Sequence, residues 1–297
     1  MEAKKDEQNN QTADWDGDGI IVIKNLTKKF SHNIVLDNIS LSIEKGKTTV
    51  VIGPSGCGKT VLIKNFIVLL RPSSGEVYFK DKRIDNLPDK ELDEVRTHYG
   101  FLFQGGALFD SLSVAENIMF PIWQHHDHAK IDWKQAEDIV KTKLAMVGLD
   151  GFQHFYPANL SGGQKKRVAL ARAIALNPEV ILYDEPTTGL DPIRSDVINE
   201  LILKLQRELG TTTVVVTHDM TSVYKVADRI IMLHNGKIIA DGDADYIRNH
   251  PHPAVQQFIN GRVGEDDLAV LRASGTVSKA QFLPRDFEED KSDAREN

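Results

Sequence analysis

One short segment of the chain has the spacing G-x-x-x-x-G-K-T, formed by Gly53, Pro54, Ser55, Gly56, Cys57, Gly58, Lys59 and Thr60. The run 47–52 predicts a strand that enters this segment, and a helix is predicted over 61–70. Glycines allow the backbone to surround an anion with N–H groups, and the helix N-terminus adds a positive dipole end. We expect Lys59 to reach the β- and γ-phosphates of a nucleoside triphosphate and Thr60 to ligate Mg²⁺. We call residues 53–60 the phosphate loop.

Two adjacent carboxylates, Asp184 and Glu185, come directly after the unbroken apolar run 180–183. Such a run is typical of a strand that is buried on both faces of a parallel sheet. Ligands of α/β sheets bind at the carboxyl ends of the strands. We therefore expect Asp184 to hold Mg²⁺ through water and Glu185 to polarise the water that attacks the γ-phosphate.

A second candidate anion site lies at residues 160–164, which we call the signature segment: Leu160, Ser161, Gly162, Gly163 and Gln164. Ser161 is a good N-cap residue, and a helix is predicted over 163–176. The glycines permit a phosphate to approach the positive end of that helix. Taken alone, the segment is equally well explained as an ordinary capped helix.

The phosphate loop, the signature segment and the Asp-Glu pair, in this order, resemble an ATP-binding cassette (ABC) ATPase over about residues 20–250. The resemblance implies ATP and Mg²⁺ as cofactors, with Thr60, Gln104 and Asp184 around the metal. It implies that Gln104 connects the Mg²⁺ and the attacking water to the transmembrane partner, that His218 contacts the γ-phosphate and that Phe30 stacks on adenine. The implied catalytic residues are Glu185, His218, Gln104 and Lys59.

The resemblance also implies a homodimer, because the ATP of such proteins lies between the phosphate loop of one subunit and the signature segment of another. The chain has one of each, which implies a head-to-tail pair with two ATP sites. The nucleotide-binding set then extends over both subunits and includes Ser161, Gly162, Gly163, Gln164 and Asp191, the last in a loop that crosses between subunits.

The stretch 100–114 is more specific than a generic glutamine segment, since Gln104 is followed by Gly-Gly-Ala-Leu-Phe. This stretch, together with 188–193 and 249–258, is similar to the MlaF-type ATPases of Mla and Mce-associated phospholipid transporters. The similarity implies an ATPase on the cytoplasmic face of the inner membrane, bound to an integral-membrane permease dimer (MlaE-like). It further implies an MCE-domain protein (MlaD-like) in the complex and, in some members, a STAS-domain regulator (MlaB-like).

Two other classes remain open from the sequence: an uptake system for a polar solute, and an ABC ATPase that works on DNA or ribosomes. The formal net charge of −7 argues against a nucleic-acid partner. Leu108, Phe109 and Leu112 have two interpretations, as core of a helical region or as a groove for the permease. Cys57 is the only cysteine, so no internal disulfide is possible, which fits a reducing compartment.

These residues need a scaffold, and the pattern predicts an α/β fold. We expect a P-loop ABC-type nucleotide-binding domain with a RecA-like parallel sheet, an antiparallel β part and an inserted helical subdomain. The predicted organisation is a disordered acidic leader (1–19), the ABC ATPase domain (20–260, with the helical insertion at about 101–176) and a charged tail (261–297). Strands are predicted at 20–23, 180–183, 213–216 and 229–233, and helices at 133–147 and 195–209.

Overall fold

The computed structural model describes residues 19–125 and 133–262, so most of the predicted leader and tail lie outside the described residues. The strands are β1 (Gly19–Phe30), β2 (Asn33–Glu44), β3 (Thr48–Ile52), β4 (Ser74–Phe79), β5 (Lys82–Arg83), β6 (Tyr99–Leu102), β7 (Val180–Asp184), β8 (Thr212–Val216), β9 (Arg229–His234) and β10 (Lys237–Gly242). The helices are α1 (Lys59–Phe66), α2 (Asp89–Arg96), α3 (Val114–His125), α4 (Trp133–Met146), α5 (Gly162–Ala173), α6 (Pro192–Leu209), α7 (Met220–Val226), α8 (Ala244–Arg248) and α9 (Pro253–Ile259).

The strands form two sheets, as the α/β prediction requires. The large sheet has the order β10-β9-β3-β8-β7-β6, and all of its pairs are parallel except β9 with β10. The small sheet has the order β2-β1-β4-β5 and is antiparallel throughout. The predicted combination of a parallel core with an antiparallel β part is therefore confirmed.

Both faces of the large sheet are buried at its central strands β3, β7 and β8, which explains why the sequence of these strands is largely apolar. Alternate residues of one strand point to different cores: Val50 and Ile52 pack with helices α3 to α6, whereas Val51 packs with the small sheet and α1. In β7, Tyr183 and Leu182 divide in the same way. The large sheet thus separates two hydrophobic cores, and the carboxyl ends of its parallel strands lie at the same edge.

Several predicted helix ends were wrong. The helix predicted over 61–70 ends at Phe66, because Val68 has a positive φ of 51° that an α-helix cannot contain. The helix predicted from residue 195 begins at Pro192, since Asp191 caps it and proline suits the first helical position. The helix predicted over 163–176 is α5, which ends at Ala173.

Along the chain, helices α3, α4 and α5 come between β6 and β7, and they pack on one another. Residues 101 and 102 still belong to β6, so the helical region begins after them. The domain boundaries stay a prediction. Over the residues described, no helix is both long enough and apolar enough to cross a membrane.

Asn117 holds the loop that enters α3. Its fully buried amide donates to the carbonyls of Phe109, Leu112 and Ser113 at 3.0–3.1 Å, and its oxygen accepts from the Phe109 N–H at 2.9 Å. We expect Asn117→Ala to lower the free energy of unfolding by about 2 kcal/mol, because these buried backbone groups lose their partner. Urea denaturation followed by circular dichroism measures the loss.

The matched control is Asn249→Ala, which removes an exposed amide that donates to one carbonyl within its own helical turn. Its effect should stay within about 0.5 kcal/mol. Equal stabilities of the two variants would contradict the role given to Asn117.

Candidate functional site

The phosphate loop is a tight turn between β3 and α1 that only glycine allows at two of its positions. Gly53 has φ 146° and Gly58 has φ 104°. A Cβ atom at Gly53 would lie 2.0 Å from the Leu233 carbonyl oxygen, and one at Gly58 would lie 2.9 Å from Leu36 Cδ2. The loop is therefore packed against the neighbouring strands β9 and β2, with α1 starting at Lys59.

Lys59 folds back over this loop. Its ammonium donates to the carbonyl oxygens of Gly53 at 2.7 Å and Pro54 at 2.9 Å. No carboxylate in the described ranges forms an ion pair with it. The side chain is almost fully buried, so its charge is held at the loop and would favour an anion bound there.

The Thr60 hydroxyl donates to Asp184 Oδ1 at 2.8 Å, and this bond joins α1 to the end of β7. Burial raises the pKa of Asp184, while the hydrogen bond from Thr60 acts in the opposite direction. The structure thus brings together the two oxygen-bearing residues that were predicted from separate motifs.

Glu185 lies one residue beyond β7 and is held from several sides. Its backbone has a positive φ of 50°, and its N–H donates to the Val216 carbonyl at 2.9 Å at the end of β8. Its carboxylate accepts from the Thr188 hydroxyl at 3.0 Å, and His218 Nδ1 lies 3.0 Å from Oε1. The carboxylate is buried, whereas the histidine side chain is 60% exposed.

Sequence reasoning missed Thr188. It follows Glu185 by three residues, a spacing at which a hydroxyl often bonds a preceding turn. That pattern was a usable signal, although a weak one.

Gln104 is exposed, and its side chain makes no hydrogen bond within the part of the chain described. Its carbonyl oxygen accepts a hydrogen bond from the Lys166 ammonium, which also lies 3.4 Å from the Glu185 carbonyl oxygen. Lys166 was not predicted, and nothing in a run of basic residues on a helix distinguishes it from a solvated side chain.

Phe30 lies at the end of β1, in the hairpin that leads to β2. Its ring is 45% exposed, and the Lys28 ammonium lies 5.0 Å from the ring centroid. The adjacent strand reaches the phosphate loop, because the Val35 carbonyl oxygen would lie 3.0 Å from a Cβ at Gly58. An exposed aromatic ring thus stands on the hairpin that borders the loop.

The signature segment forms the N-terminus of α5 and is closed by a capping box. Ser161 Oγ accepts from the Gln164 N–H at 3.3 Å, and Gln164 Oε1 accepts from the Ser161 N–H at 2.8 Å. Asp191 caps α6 nearby, accepting from the Arg194 N–H at 2.9 Å. In the described ranges, no hydrogen bond or ion pair joins the signature segment to the phosphate loop, so the structure does not bring these two predicted parts of the site together.

The ABC transporter family matches residues 36–188, just over half of the 297 residues. The chain belongs to this family. It is an ABC ATPase, which binds and hydrolyses ATP, and the resemblance inferred from its motifs is confirmed.

Relatives of this ABC ATPase bear two different names. It is 42% identical over 242 residues to the intermembrane phospholipid transport system ATP-binding protein MlaF of Haemophilus influenzae, covering 82% of this chain and 90% of that protein. It is 37% identical over 264 residues to the probable ribonucleotide transport ATP-binding protein mkl of Mycobacterium tuberculosis, covering 89% of this chain and 73% of that protein.

Solved ABC structures share its fold. The dimeric post-hydrolysis structure of the cassette MJ0796, bound to ADP and Pi, has a TM-score of 0.69 and 35% identity, covering 75% of this chain and 98% of that one. The cbiO1 structure from Clostridium perfringens has a TM-score of 0.71 and 30% identity, covering 85% and 99%.

The position of Glu185 generates a prediction for catalysis. Glu185→Gln should lower kcat for ATP hydrolysis by roughly 10²–10⁴-fold, the range typical of a lost general base. ATP affinity should persist, because Lys59 and Thr60 are untouched. Steady-state hydrolysis and fluorescent-nucleotide titration measure the two quantities.

The control is Glu179→Gln, the same substitution just before the opposite end of β7, where the carboxylate pairs with Lys80 and His98. It should leave kcat unchanged. Near-normal turnover of Glu185→Gln would mean that another group activates the water.

The environment of Cys57 predicts how the rate at which its thiol is alkylated depends on pH. Burial raises the pKa of its thiol, and the nearby Lys59 charge acts in the opposite direction. Because the thiolate is the reactive form, alkylation by iodoacetamide should be slow at neutral pH and still rise with pH above about 9. Bound ATP should slow it further. Mass spectrometry of the labelled chain measures the rate, and Cys57→Ser is the unlabelled control; a rate that reaches its plateau by pH 8 would contradict the expected shift.

Proposed function

We propose that this ABC ATPase energises a transporter that moves phospholipid between membranes, in an Mla- or Mce-type system. The observation that carries the proposal is the 42% identity to a protein named as the ATP-binding subunit of intermembrane phospholipid transport, over 90% of that protein's length. Similarity over nearly a whole relative includes the surfaces that contact partners, not only the motifs of ATP hydrolysis.

The phosphate loop and its neighbours fit ATP with Mg²⁺. The oxygens of Thr60 and Asp184 already lie 2.8 Å apart next to the buried Lys59 ammonium, and carboxylate and hydroxyl oxygens suit Mg²⁺. We assign Thr60, Asp184 and Gln104 to the metal and Lys59 to the β- and γ-phosphates. A bound Mg²⁺ would neutralise charge on the phosphates during transfer. The remaining contacts are the loop N–H groups and the exposed ring of Phe30, on which adenine can stack.

The hydrolytic step rests on the residues around Glu185. The carboxylate orients the attacking water and takes its proton, and the Thr188 hydroxyl keeps it in one rotamer. His218 supports the same carboxylate through Nδ1 and leaves most of its ring free for the γ-phosphate. The positive φ of Glu185 is a local strain that the bond to Val216 maintains.

The ATPase works as a head-to-tail homodimer. Within one chain the signature segment stays apart from the phosphate loop, whereas a second copy can supply it. The glycines of the segment and Asp191 are exposed or half-exposed, so they are accessible to a partner. The structure of the similar cassette MJ0796 is a dimer with ADP and Pi, which supports the dimeric state. By linkage, ATP binding and dimer closure then favour each other.

A groove on the helical region suits the membrane partner. Phe109 is 40% exposed; its ring lies 4.5 Å from that of Phe120 and 5.7 Å from the Arg172 guanidinium. A cavity of about 400 Å³ adjoins these side chains. Leu108, by contrast, packs against the core, so the three apolar residues of this stretch do not share one role. We assign the groove to a cytoplasmic helix of the permease.

The complete assembly contains the ATPase dimer on the cytoplasmic face of the inner membrane, an MlaE-like permease dimer and an MlaD-like MCE-domain protein. An MlaB-like STAS-domain regulator belongs to the same proposal and rests on the family resemblance. A ribonucleotide or another polar solute is the second candidate cargo, because the mkl relatives bear that name at 37% identity.

Affinity purification from gently solubilised native membranes tests the assignment, with mass spectrometry of co-purifying proteins and lipids. We expect a multispanning permease, an MCE-domain protein and bound phospholipid. Phe109→Asp should lose these partners and keep ATP binding, since a charge in an apolar groove is costly to bury. Tyr246→Asp, at a 50% exposed aromatic residue on α8, is the control that should keep them.

Other results would point elsewhere. Co-purification of a permease with a soluble solute-binding protein and no lipid would favour the hypothesis that the transporter takes up a polar solute. Ribosomal or DNA-bound proteins without a membrane partner would overturn the transporter proposal and leave the ABC ATPase itself intact.

A further inference from the structure

Lys166 is a buried cation in the second turn of α5, only 7% exposed. Its ammonium donates to the carbonyl oxygen of Gln104 and lies 3.4 Å from that of Glu185. These are the main-chain oxygens of two residues to which the proposed mechanism gives the metal, the water and its proton. No other described side chain bonds both segments.

The charge of Lys166 has no carboxylate within ion-pair distance among the residues described. An ammonium buried in this way is costly, and burial lowers its pKa, whereas the nearby charges of Asp184 and Glu185 raise it. An apolar side chain at this position would avoid the desolvation cost, but it could donate to neither carbonyl. The bonds to the two carbonyls are what the cation contributes.

The same helix also holds the residues after Gln104. Arg172 donates to the carbonyls of Gly106 at 2.8 Å and Ala107 at 2.7 Å. Together with Lys166 it fixes three backbone positions of the segment 104–107, which we call the glutamine loop. The signature segment starts this helix, so the glutamine loop and the signature segment are attached to one rigid element.

We infer that Lys166 is a positioning residue, which aligns the glutamine loop with the carboxylate of Glu185 and ties both to the helix that carries the signature segment. The inference rests on the roles proposed above for Gln104 and Glu185. When the signature segment of α5 engages a second copy, movement of the helix reaches the glutamine loop through Lys166 and Arg172, and it reaches Glu185 through Lys166. ATP binding itself does not involve Lys166, which contacts neither the phosphate loop nor Phe30.

The test is Lys166→Met in the full-length chain, which keeps the apolar stem and removes the donor. We expect kcat for ATP hydrolysis to fall about tenfold to a hundredfold, the loss that a small misplacement of reacting groups causes. KM for ATP and the affinity for a fluorescent ATP analogue should change less than about twofold, because the ground-state contacts remain. A purely structural role would not separate these quantities in this way.

Lys143→Met is the matched control. Lys143 is 5% exposed, its pKa is also lowered by burial, and it donates to Asn177 Oδ1 at 2.6 Å, away from both loops. We expect its kcat to stay within about twofold of the parent even if its melting temperature falls. If Lys166→Met does not fold, Lys166→Gln replaces it: the shorter amide can reach one carbonyl at most, and the same loss of kcat is expected.

Unchanged kcat in a folded Lys166 variant, or a rise in KM with kcat unchanged, would overturn the inference. Glu185→Gln, assayed beside it, distinguishes a failure of the role given to Lys166 from a failure of the proposed catalytic mechanism. If Glu185→Gln is inactive and Lys166→Met is normal, only the role of Lys166 fails. If Glu185→Gln hydrolyses ATP normally, the proposed mechanism itself fails.

Discussion

The hydrogen bond between Thr60 and Asp184 joins parts of the chain that are 124 residues apart, and the proposed chemistry depends on it. It is possible because β3 and β7 both pair in parallel with β8, so the phosphate loop and the Asp-Glu pair leave the sheet at the same edge. Burial of the sheet on both faces fixes this edge, since a shift of one strand would disturb two cores at once. The site is therefore only as well defined as the register of three adjacent strands.

Helix α5 connects the signature segment to the glutamine loop. Its N-terminus carries the signature segment, its second and last turns hold the glutamine loop through Lys166 and Arg172, and its apolar face packs into the core beside the large sheet. Cations on a helix are usually solvated, yet Lys166 and Arg172 are turned toward main-chain carbonyls. A loop held through its backbone keeps its position whatever side chains it carries, which leaves Gln104 exposed and available to ligands.

Because the signature segment lies apart from the phosphate loop within one chain, nucleotide binding can be coupled to the association of two copies. In the proposed homodimer the site is divided between two copies and is complete only when they meet, so nucleotide binding and association would be thermodynamically linked. Transport needs such a coupling, because a conformational change must accompany each nucleotide bound and hydrolysed. In the proposed assembly, the exposed Phe109 lies on the loop that Asn117 and Arg172 hold and would transmit this change to the membrane partner.

Three features could be predicted from the sequence alone: the phosphate loop, the buried strands and the Ser161 cap. Their signals are glycine spacing, unbroken apolar runs and a capping residue, and each of these acts within a few neighbouring positions. Helix ends were harder to predict from the sequence. Helix α1 ends before Val68 because this residue has a positive φ, which valine does not favour by itself. The partners of Lys166 and the contact between His218 and Glu185 were decided only by the tertiary structure. A basic residue on a helix is solvated or buried according to what the chain's topology places beside it, and those carbonyls come from segments 62 and 19 residues away.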